Sequence, residues 1–211
     1  MESHLEQEKT VDGIVLGAGA SVRLGEPKLL ISVGGMSVFE RVLLSHEASA
    51  LRSICAVIPG WLPEFRAIAE RHGGKRVKFL ELAEPGVMSR SLKSGWRWVE
   101  ENWAPAAVMV SLADKPLVRN RTIDLVVRSW KRAGEGICVP TFEGRWGHPV
   151  ILDARLGEEV MAIRGDRGAL AVLETHRDLV REVVVDSDEV VFDIDSAEDV
   201  GELAARLIWN G

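Results

Sequence analysis

The sequence GIVLGAGASVRLGEPK, residues 13–28, joins a short apolar run to a loop of small residues that ends in a cation. The run 13–16 is typical of a buried strand, because it is apolar and a turn follows at once. Small residues at 17–20 let backbone N–H groups approach an anion closely. A hydroxyl at Ser21 and charges at Arg23 and Lys28 add donors to the same loop. We therefore predict a triphosphate cradle formed by Leu16, Gly17, Ala18, Gly19, Ser21, Arg23 and Lys28.

Three other interpretations of this loop are weaker. A dinucleotide fingerprint needs a third glycine at the position of Val22, and Pro27 interrupts an early helix. A Walker loop needs Gly-Lys followed by Ser or Thr, which the loop lacks. A flexible turn with solvated cations is disfavoured by the spacing of Arg23 and Lys28.

Strand and helix patterns alternate from one end of the chain to the other. The predicted strands are 13–16, 53–58, 77–82, 106–112, 136–139, 148–152, 183–185 and 190–194. The predicted helices include 37–50, with capping-box spacing of Ser37 and Glu40, 63 to about 71, and 166–175; further helical faces lie at 92–99, 123–130 and 200–208. This alternation predicts a three-layer α/β/α, Rossmann-like fold with a mostly parallel sheet, in which ligands gather beyond the carboxyl ends of the strands.

Composition narrows the class of protein. The chain has 211 residues, enough for one substantial core, and we expect a flexible N-terminal tail at 1–10 before a single domain at 11–211. A net charge of −6 with mixed signs argues against a nucleic-acid partner. No apolar run approaches the ~20 residues of a membrane helix, and the acidic N-terminus is not a signal peptide. We therefore expect a cytoplasmic protein without a membrane partner.

The loop at 16–28 resembles the signature L-A-A-G-x-S-x-R-M-G-x-P-K of the molybdenum cofactor nucleotidyltransferases, within the nucleotide-diphospho-sugar transferase superfamily. The chain departs from this pattern at Gly17, where Ala is usual, and at Leu24, where Met is usual. The resemblance implies that Arg23 and Lys28 act on the triphosphate. It also favours CTP, because Ala18 and the Pro27-Lys28 pair follow the cytidylyl branch of the family.

A second block, GVMSRSLKSG at 86–95, resembles the family's G-[LM]-S-x-S-[IL]-x-x-G segment. The resemblance implies that Ser89 and Ser91 lie beside the nucleobase and ribose. Physically, the block is a Ser-rich helix start whose N–H groups suit polar ligands. Capping of the helix by Ser89 is an equally good interpretation of that residue.

Two further blocks resemble the metal-binding motifs of the family and superfamily: SLADKPLV at 111–118 and DIDSAEDV at 193–200. The resemblance implies that Asp114 and Asp195 hold Mg²⁺, which prefers one or two carboxylates together with phosphate oxygens. Asp193 is the second choice, because we expect it to point to the opposite face of a strand. Structural alternatives are a turn cap by Asp114 and a helix cap by Asp195 or Ser196. Lys115 either touches a phosphate or is solvated.

The acceptor side resembles the family in PTFEGRWGHPV at 140–150 and GDRGA at 165–169. The resemblance implies that Arg145, His148 and Asp166 bind the acceptor. A histidine before a proline is more often a structural hydrogen bonder, and Asp166 is as well placed to cap its own helix.

Taken together, these blocks in family order imply transfer of CMP from CTP to the terminal phosphate of molybdopterin, with Mg²⁺ as cofactor and Arg23, Lys28 and Asp114 as catalytic residues. A molybdoenzyme or its maturation chaperone is a further expected partner. Two alternatives stay open: nucleotidyl transfer to a sugar or polyol phosphate, and a non-catalytic factor that binds and delivers molybdopterin.

Overall fold

The structure, a computed structural model, describes residues 9–19 and 27–209. Its strands are β1 (Val11–Leu16), β2 (Ser32–Val33), β3 (Met36–Ser37), β4 (Ile54–Pro59), β5 (Val77–Leu82), β6 (Ala107–Leu112), β7 (Ile137–Phe142), β8 (Arg145–Trp146), β9 (Val150–Asp153) and β10 (Val180–Val184). Its helices are α1 (Val38–Glu47), α2 (Pro63–His72), α3 (Met88–Trp103), α4 (Asn120–Ala133), α5 (Gly157–Ala162), α6 (Leu170–Thr175) and α7 (Ala197–Trp209).

The main sheet is mostly parallel and has the order β10-β7-β9-β6-β1-β4-β5, with β8 paired to β7. β9 runs antiparallel to both β6 and β7, and the short β8 is antiparallel to β7. The two central strands, β6 and β1, pair in parallel along their whole length. Their carboxyl ends therefore reach the same edge, and the loop after β1 lies beside the loop after β6.

Two apolar clusters cover the two faces of the sheet. One is formed with α1, α2, α4 and α7, and the other with α3, α5 and α6. Successive residues of β4 alternate between them: Ile54 and Ala56 face one cluster, and Cys55 and Val57 face the other. Such period-2 alternation between two covered faces gives three layers. The predicted α/β/α fold class is confirmed.

Local patterns specified several elements correctly. Ser37 caps α1, since its Oγ accepts from the Glu40 N–H at 3.2 Å while Glu40 Oε2 accepts from the Ser37 N–H at 3.3 Å. Pro63 begins α2, as predicted. β5 has the predicted bounds, and β6 is the central strand, as its apolar composition indicated.

Three predictions near the carboxyl end of the chain are wrong. Residues 190–194 form no strand: a 3₁₀ turn covers Asp188–Val190, and the following N–H of Ile194 bonds to Asp114 O at 3.0 Å instead of to a ladder. The helix predicted at 166–175 begins only at Leu170. Ile208, assigned to the buried stripe of α7, is 80% exposed.

The predicted tail at 1–10 lies largely outside the described residues. The carbonyl of Thr10 accepts hydrogen bonds from the Ala106 and Ala107 N–H groups at 3.1 and 3.2 Å, which joins it to the start of β6. The division between tail and domain stays a prediction. Within residues 9–19 and 27–209, no helix is both long enough and apolar enough to span a membrane.

Candidate functional site

A cavity of about 760 Å³ opens at the carboxyl ends of β1 and β6, between the loops that follow them and the start of α3. This volume suits a small-molecule ligand. We refer to this cavity as the cleft. The described residues that line it are Leu16, Gly19, Lys28, Leu29, Gly86, Val87, Met88, Ser91, Leu112, Asp114, Asp166, Asp193 and Asp195.

Three charged groups from distant parts of the chain meet in the cleft. Lys28 lies in a 3₁₀ turn after Pro27, Asp114 follows β6, and Asp195 precedes α7. The Lys28 Nζ donates to Asp114 Oδ2 at 2.7 Å and to Asp195 Oδ1 at 2.9 Å. Burial acts to lower the pKa of Lys28, but the two carboxylates outweigh it and raise the pKa above its usual value. The cleft thus holds a charged lysine between two acids, as the motifs predicted.

One carboxylate oxygen in the cleft is buried and accepts no hydrogen bond from the residues that the structure describes. Asp114 Oδ1 has no partner among residues 9–19 and 27–209, while Oδ2 accepts from Lys28. A turn cap by Asp114 therefore finds no support in these residues. An unsatisfied buried carboxylate oxygen is costly, and a ligand that pairs with it would offset that cost.

The donor set fits a hard divalent cation that keeps most of its ligands outside the protein. The described residues contain no group of three or more His, Cys, Asp or Glu side chains placed to hold a metal on their own. Asp114 and Asp195 nevertheless supply two oxygen donors beside one cavity. Mg²⁺ commonly binds through one or two carboxylates together with water and phosphate oxygens.

Asp193 is a further cleft carboxylate, and its predicted orientation was wrong. Residues two apart, such as 193 and 195, share a face of a strand, and no strand forms here. Both side chains line the cleft. Burial raises the pKa of Asp193, and the charges of Asp114 and Asp195 act in the same direction, against the charge of Lys115. The D-I-D spacing itself was the signal that could have placed Asp193 correctly.

The described part of the predicted phosphate loop lies at the cleft. Leu16 and Gly19 line it, and Ala18 is buried behind. A Cβ atom on Gly17 would lie 2.8 Å from the ring of Phe39, so this ring explains why glycine replaces the usual alanine. The predictions for Ser21 and Arg23 fall outside the described residues.

The start of α3 contributes Ser91 to the cleft, whereas Ser89 is buried and is not among the lining residues. Val87 occupies the N-cap position, so the interpretation of Ser89 as the cap is wrong. The Met88 N–H donates to Asp166 Oδ1 at 3.0 Å. Asp166 therefore satisfies the start of α3 and does not cap the helix that follows it, because the loop 163–169 folds back against α3.

Among the three predicted acceptor residues, the structure brings Asp166 to the cleft. His148 is 6% exposed, with Nδ1 3.4 Å from Val110 O, and burial lowers its pKa to about 4, with the Lys115 charge acting in the same direction. This geometry is that of a structural hydrogen bonder. Arg145 lies exposed on β8 and is not among the lining residues.

Lys115 is neither solvated nor a lining residue of the cleft. It is 7% exposed, and its Nζ donates to the carbonyls of Val191 at 3.3 Å and Phe192 at 3.4 Å. Burial lowers its pKa, against the attraction of Asp193 and Asp114. Both partners are backbone carbonyls from a distant segment, which no local pattern identifies.

Comparisons with known proteins match the chain to one protein family and to several solved structures. The model of the MobA-like NTP transferase domain matches residues 13–180, most of the chain. Rv0371c from Mycobacterium tuberculosis H37Rv is 26% identical, with a TM-score of 0.79 over 93% of this chain and 98% of that one. A complex of Rv0371c with manganese is 24% identical, with a TM-score of 0.75 and the same coverage.

Two more distant similarities extend the comparison. The 4-diphosphocytidyl-2C-methyl-D-erythritol synthase of Anaerococcus prevotii DSM 20548 is 15% identical, with a TM-score of 0.74 over 95% of this chain and 96% of that one. The bifunctional protein GlmU of Dichelobacter nodosus (strain VCS1703A) is 24% identical over 151 residues, which are 71% of this chain. This alignment spans 32% of GlmU.

Proposed function

The chain belongs to the MobA-like NTP transferase family, and from this premise we propose that it transfers CMP from CTP to the terminal phosphate of molybdopterin, releasing pyrophosphate. The observation that carries the proposal is the meeting of Lys28, Asp114 and Asp195 in one cleft. Asp114 and Asp195 share one lysine, and Asp114 Oδ1 has no partner in the described part of the chain, so the two acids can form a site for a cation and the polyphosphate that accompanies it.

In the proposed reaction, a terminal phosphate oxygen of the acceptor attacks the α-phosphorus of CTP, and the bond to the pyrophosphate oxygen breaks. A phosphate monoester is already an anionic nucleophile, so the protein needs no strong general base. Its task is to align two anions that repel each other and to neutralise charge on the leaving group.

Each cleft residue has a defined task in this reaction. Lys28, held charged by its two carboxylate neighbours, neutralises the triphosphate and the departing pyrophosphate. Arg23 is proposed to assist from the same loop. Asp114 and Asp195 would hold a divalent cation such as Mg²⁺, which supplies further charge neutralisation on the phosphate oxygens. The complex of the structurally similar Rv0371c with manganese supports the proposal of a divalent cation.

The remaining cleft residues orient the two substrates. The backbone of 16–19 approaches the phosphates, and Ser91 contacts the nucleoside from the start of α3. Asp166 is proposed to face the acceptor. Ser89, Arg145 and His148 contribute indirectly at most, because they lie away from the cleft lining.

CTP is proposed as the donor because residues 16–28 resemble the cytidylyl branch, and the name of the structurally similar erythritol synthase also indicates cytidyl chemistry. A thermal-shift comparison of CTP, GTP, ATP and UTP with Mg²⁺ tests this assignment. We expect preferential stabilisation by CTP. Equal or greater stabilisation by another nucleotide would remove CTP from the proposal.

A sugar or polyol phosphate is the alternative acceptor, favoured by the same synthase, whose name gives 4-diphosphocytidyl-2C-methyl-D-erythritol as its product. Pyrophosphate release with CTP and Mg²⁺ separates the two acceptors. We expect release with molybdopterin and little with methylerythritol phosphate or hexose phosphates. The reverse pattern would favour the alternative. Tight molybdopterin binding without release would indicate a delivery factor that passes the cofactor to a molybdoenzyme.

A further inference from the structure

The segment 191–195 brings two acids, Asp193 and Asp195, to the cleft without belonging to the sheet. In this respect it differs from Asp114, which directly follows the central strand β6. Outside the ladder, the N–H groups of Val191 and Phe192 bond to Asp188 O, each at 2.9 Å, and that of Ile194 bonds to Asp114 O at 3.0 Å. The placement of the two acids therefore depends on these local contacts and on the side chains that hold the segment. The geometry of the proposed cation site therefore depends on what holds this segment.

Lys115, which is buried beside the cleft, binds the segment 191–195 through its side chain. Its buried Nζ donates to the carbonyls of Val191 and Phe192, three or four residues before Asp195. Its own backbone follows that of Asp114, whose carbonyl accepts from the Ile194 N–H at 3.0 Å. One short stretch, 114–115, thus carries one cleft carboxylate and also binds the segment that carries two more, Asp193 and Asp195.

The upstream end of the segment has separate anchors. Glu189 is buried and accepts from the Thr122 hydroxyl and from Arg119 Nε at 2.8 Å. Asp188 forms two hydrogen bonds with Arg206, each 2.7 Å long. These contacts fix the turn at 188–190, whereas Lys115 acts on the residues between that turn and the acids. Loss of Lys115 would therefore release the acids without unfolding the turn.

Charge adds a reason for a lysine at this place. Three carboxylates, at 114, 193 and 195, lie close enough to Lys115 to interact with its charge, and a buried cation beside them reduces their mutual repulsion. Burying an ammonium group is expensive unless it is paired, and here two carbonyls and three nearby acids offset part of the penalty, although burial still lowers the pKa of Lys115.

We propose that Lys115 is a positioning residue that sets the distance between Asp114 and Asp195 by clamping the carbonyls of Val191 and Phe192. The inference rests on the proposed function only for its effect on turnover. The clamp itself is a property of the fold and is measurable without any substrate.

The first measurement is hydrogen exchange in a Lys115→Met variant, which keeps an unbranched side chain of similar length but removes the charge and donors. We expect amide exchange of Ile194 to accelerate about 10-fold, as for the loss of a typical hydrogen bond of this kind, while that of Phe192, whose N–H bonds to Asp188 O in the turn, should change less. Arg76→Met is the matched control, because Arg76 clamps the carbonyls of Glu47, Ser49 and Leu51 far from the cleft. It should accelerate exchange near 47–51 and leave 191–195 unchanged. Unchanged exchange at 191–195 in Lys115→Met would overturn the inference.

The second measurement is a double-mutant cycle on pyrophosphate release with Lys115→Met and Asp195→Asn. A displaced carboxylate should lower kcat about 10²-fold in the otherwise unchanged protein. In the Asp195→Asn background the same substitution should change kcat by about 2-fold or less, because the group it positions is already lost. A full additional loss in that background would show that Lys115 does not act through Asp195 and would overturn the inference. If the unmodified protein releases no pyrophosphate, the proposed function fails, while the exchange experiment still decides whether the clamp exists.

Discussion

Asp12 lies in one of the two central strands and Asp114 lies just after the other, and the two carboxylates differ in their hydrogen bonding. Asp12, in β1, is fully buried and is satisfied by the guanidinium of Arg52, which donates from Nε at 3.0 Å and also from Nη2. Asp114, just after β6, gives Oδ2 to Lys28, while its buried Oδ1 lacks a partner in the described part of the chain. A carboxylate whose oxygens are hydrogen-bonded by protein donors stabilises the fold. A carboxylate with an oxygen that lacks such a donor is suited to a ligand.

The largest effect on turnover should come from a substitution of Asp114. Asp114→Ala should lower the rate of pyrophosphate release about 10³-fold, because the site loses a charge that acts on the transition state. The free energy of unfolding should change little, since the lost ion pair with Lys28 is accompanied by the removal of a buried oxygen that has no partner among the described residues. Parallel assays of turnover and of denaturant unfolding measure both. Unchanged pyrophosphate release would remove Asp114 from the site.

Removing the cation that pairs with Asp12 should give the reverse pattern, a loss of stability with turnover retained. Arg52→Met leaves Asp12 buried without its cation, and we expect the free energy of unfolding to fall by about 3 kcal/mol. Turnover measured well below the unfolding temperature should be retained, because neither residue approaches the cleft. Denaturant unfolding gives the first quantity and the pyrophosphate assay the second. A stable Arg52→Met variant with lost turnover would contradict the claim that Asp12 serves the fold and Asp114 serves the cleft.

His46 extends the comparison to a buried histidine whose two ring nitrogens are both satisfied. Nδ1 lies 2.8 Å from Val42 O and Nε2 lies 2.6 Å from Ser111 Oγ, and burial lowers its pKa to about 4 from the usual 6.5. Below pH 6.5 the unfolded chain therefore binds a proton at His46, whereas the folded protein keeps His46 neutral down to about pH 4. Stability should be complete above pH 6.5 and fall towards pH 4, by about 2 kcal/mol at pH 5.

The variant His46→Gln isolates this contribution in unfolding experiments between pH 7.5 and 5. Its stability should depend less on pH than that of the unmodified protein over this interval. Glu40 acts in a lower window, because its pKa falls to about 2: burial opposes the shift, but hydrogen bonds from Arg71 and Ser37 outweigh it. Equal pH dependence in both proteins would show that His46 is not held neutral.

The smallest effect should come from a satisfied group near the surface. Ser37→Ala removes the N-cap of α1 and should lower the free energy of unfolding by about 1 kcal/mol, with kcat unchanged. Ser37→Thr keeps the hydroxyl and is the matched control. A loss of turnover in Ser37→Ala, with Ser37→Thr normal, would mean that α1 contributes to the cleft in a way that its capping contacts do not reveal.

Patterns within a few residues predicted the fold and the meeting of the charged groups well. The Ser37–Glu40 spacing specifies a capping box, and the apolar run of β6 specifies a central strand. The carboxyl ends of parallel strands share one edge, so the loops at 28 and 114 had to meet. Their proposed roles at the cation site still depend on experiment.

Contacts between residues far apart in the sequence could not be predicted from such local patterns. Asp166 bonds to the start of α3, and Lys115 bonds to carbonyls 76 and 77 residues away. Whether Ile194 joins a strand depends on Asp114, since its N–H bonds to that carbonyl. Each of these outcomes follows from tertiary packing, which overrides the local preference for helix or strand.

Binding of Mn²⁺ in the presence of CTP, measured by electron paramagnetic resonance, tests the proposed cation site most directly. The unmodified protein and Arg76→Met should bind the ion equally. Asp114→Asn and Asp195→Asn should each weaken binding by about 10-fold or more, as expected for the loss of a group that supports a metal. Undiminished Mn²⁺ affinity in either asparagine variant would contradict a site shared by these two acids.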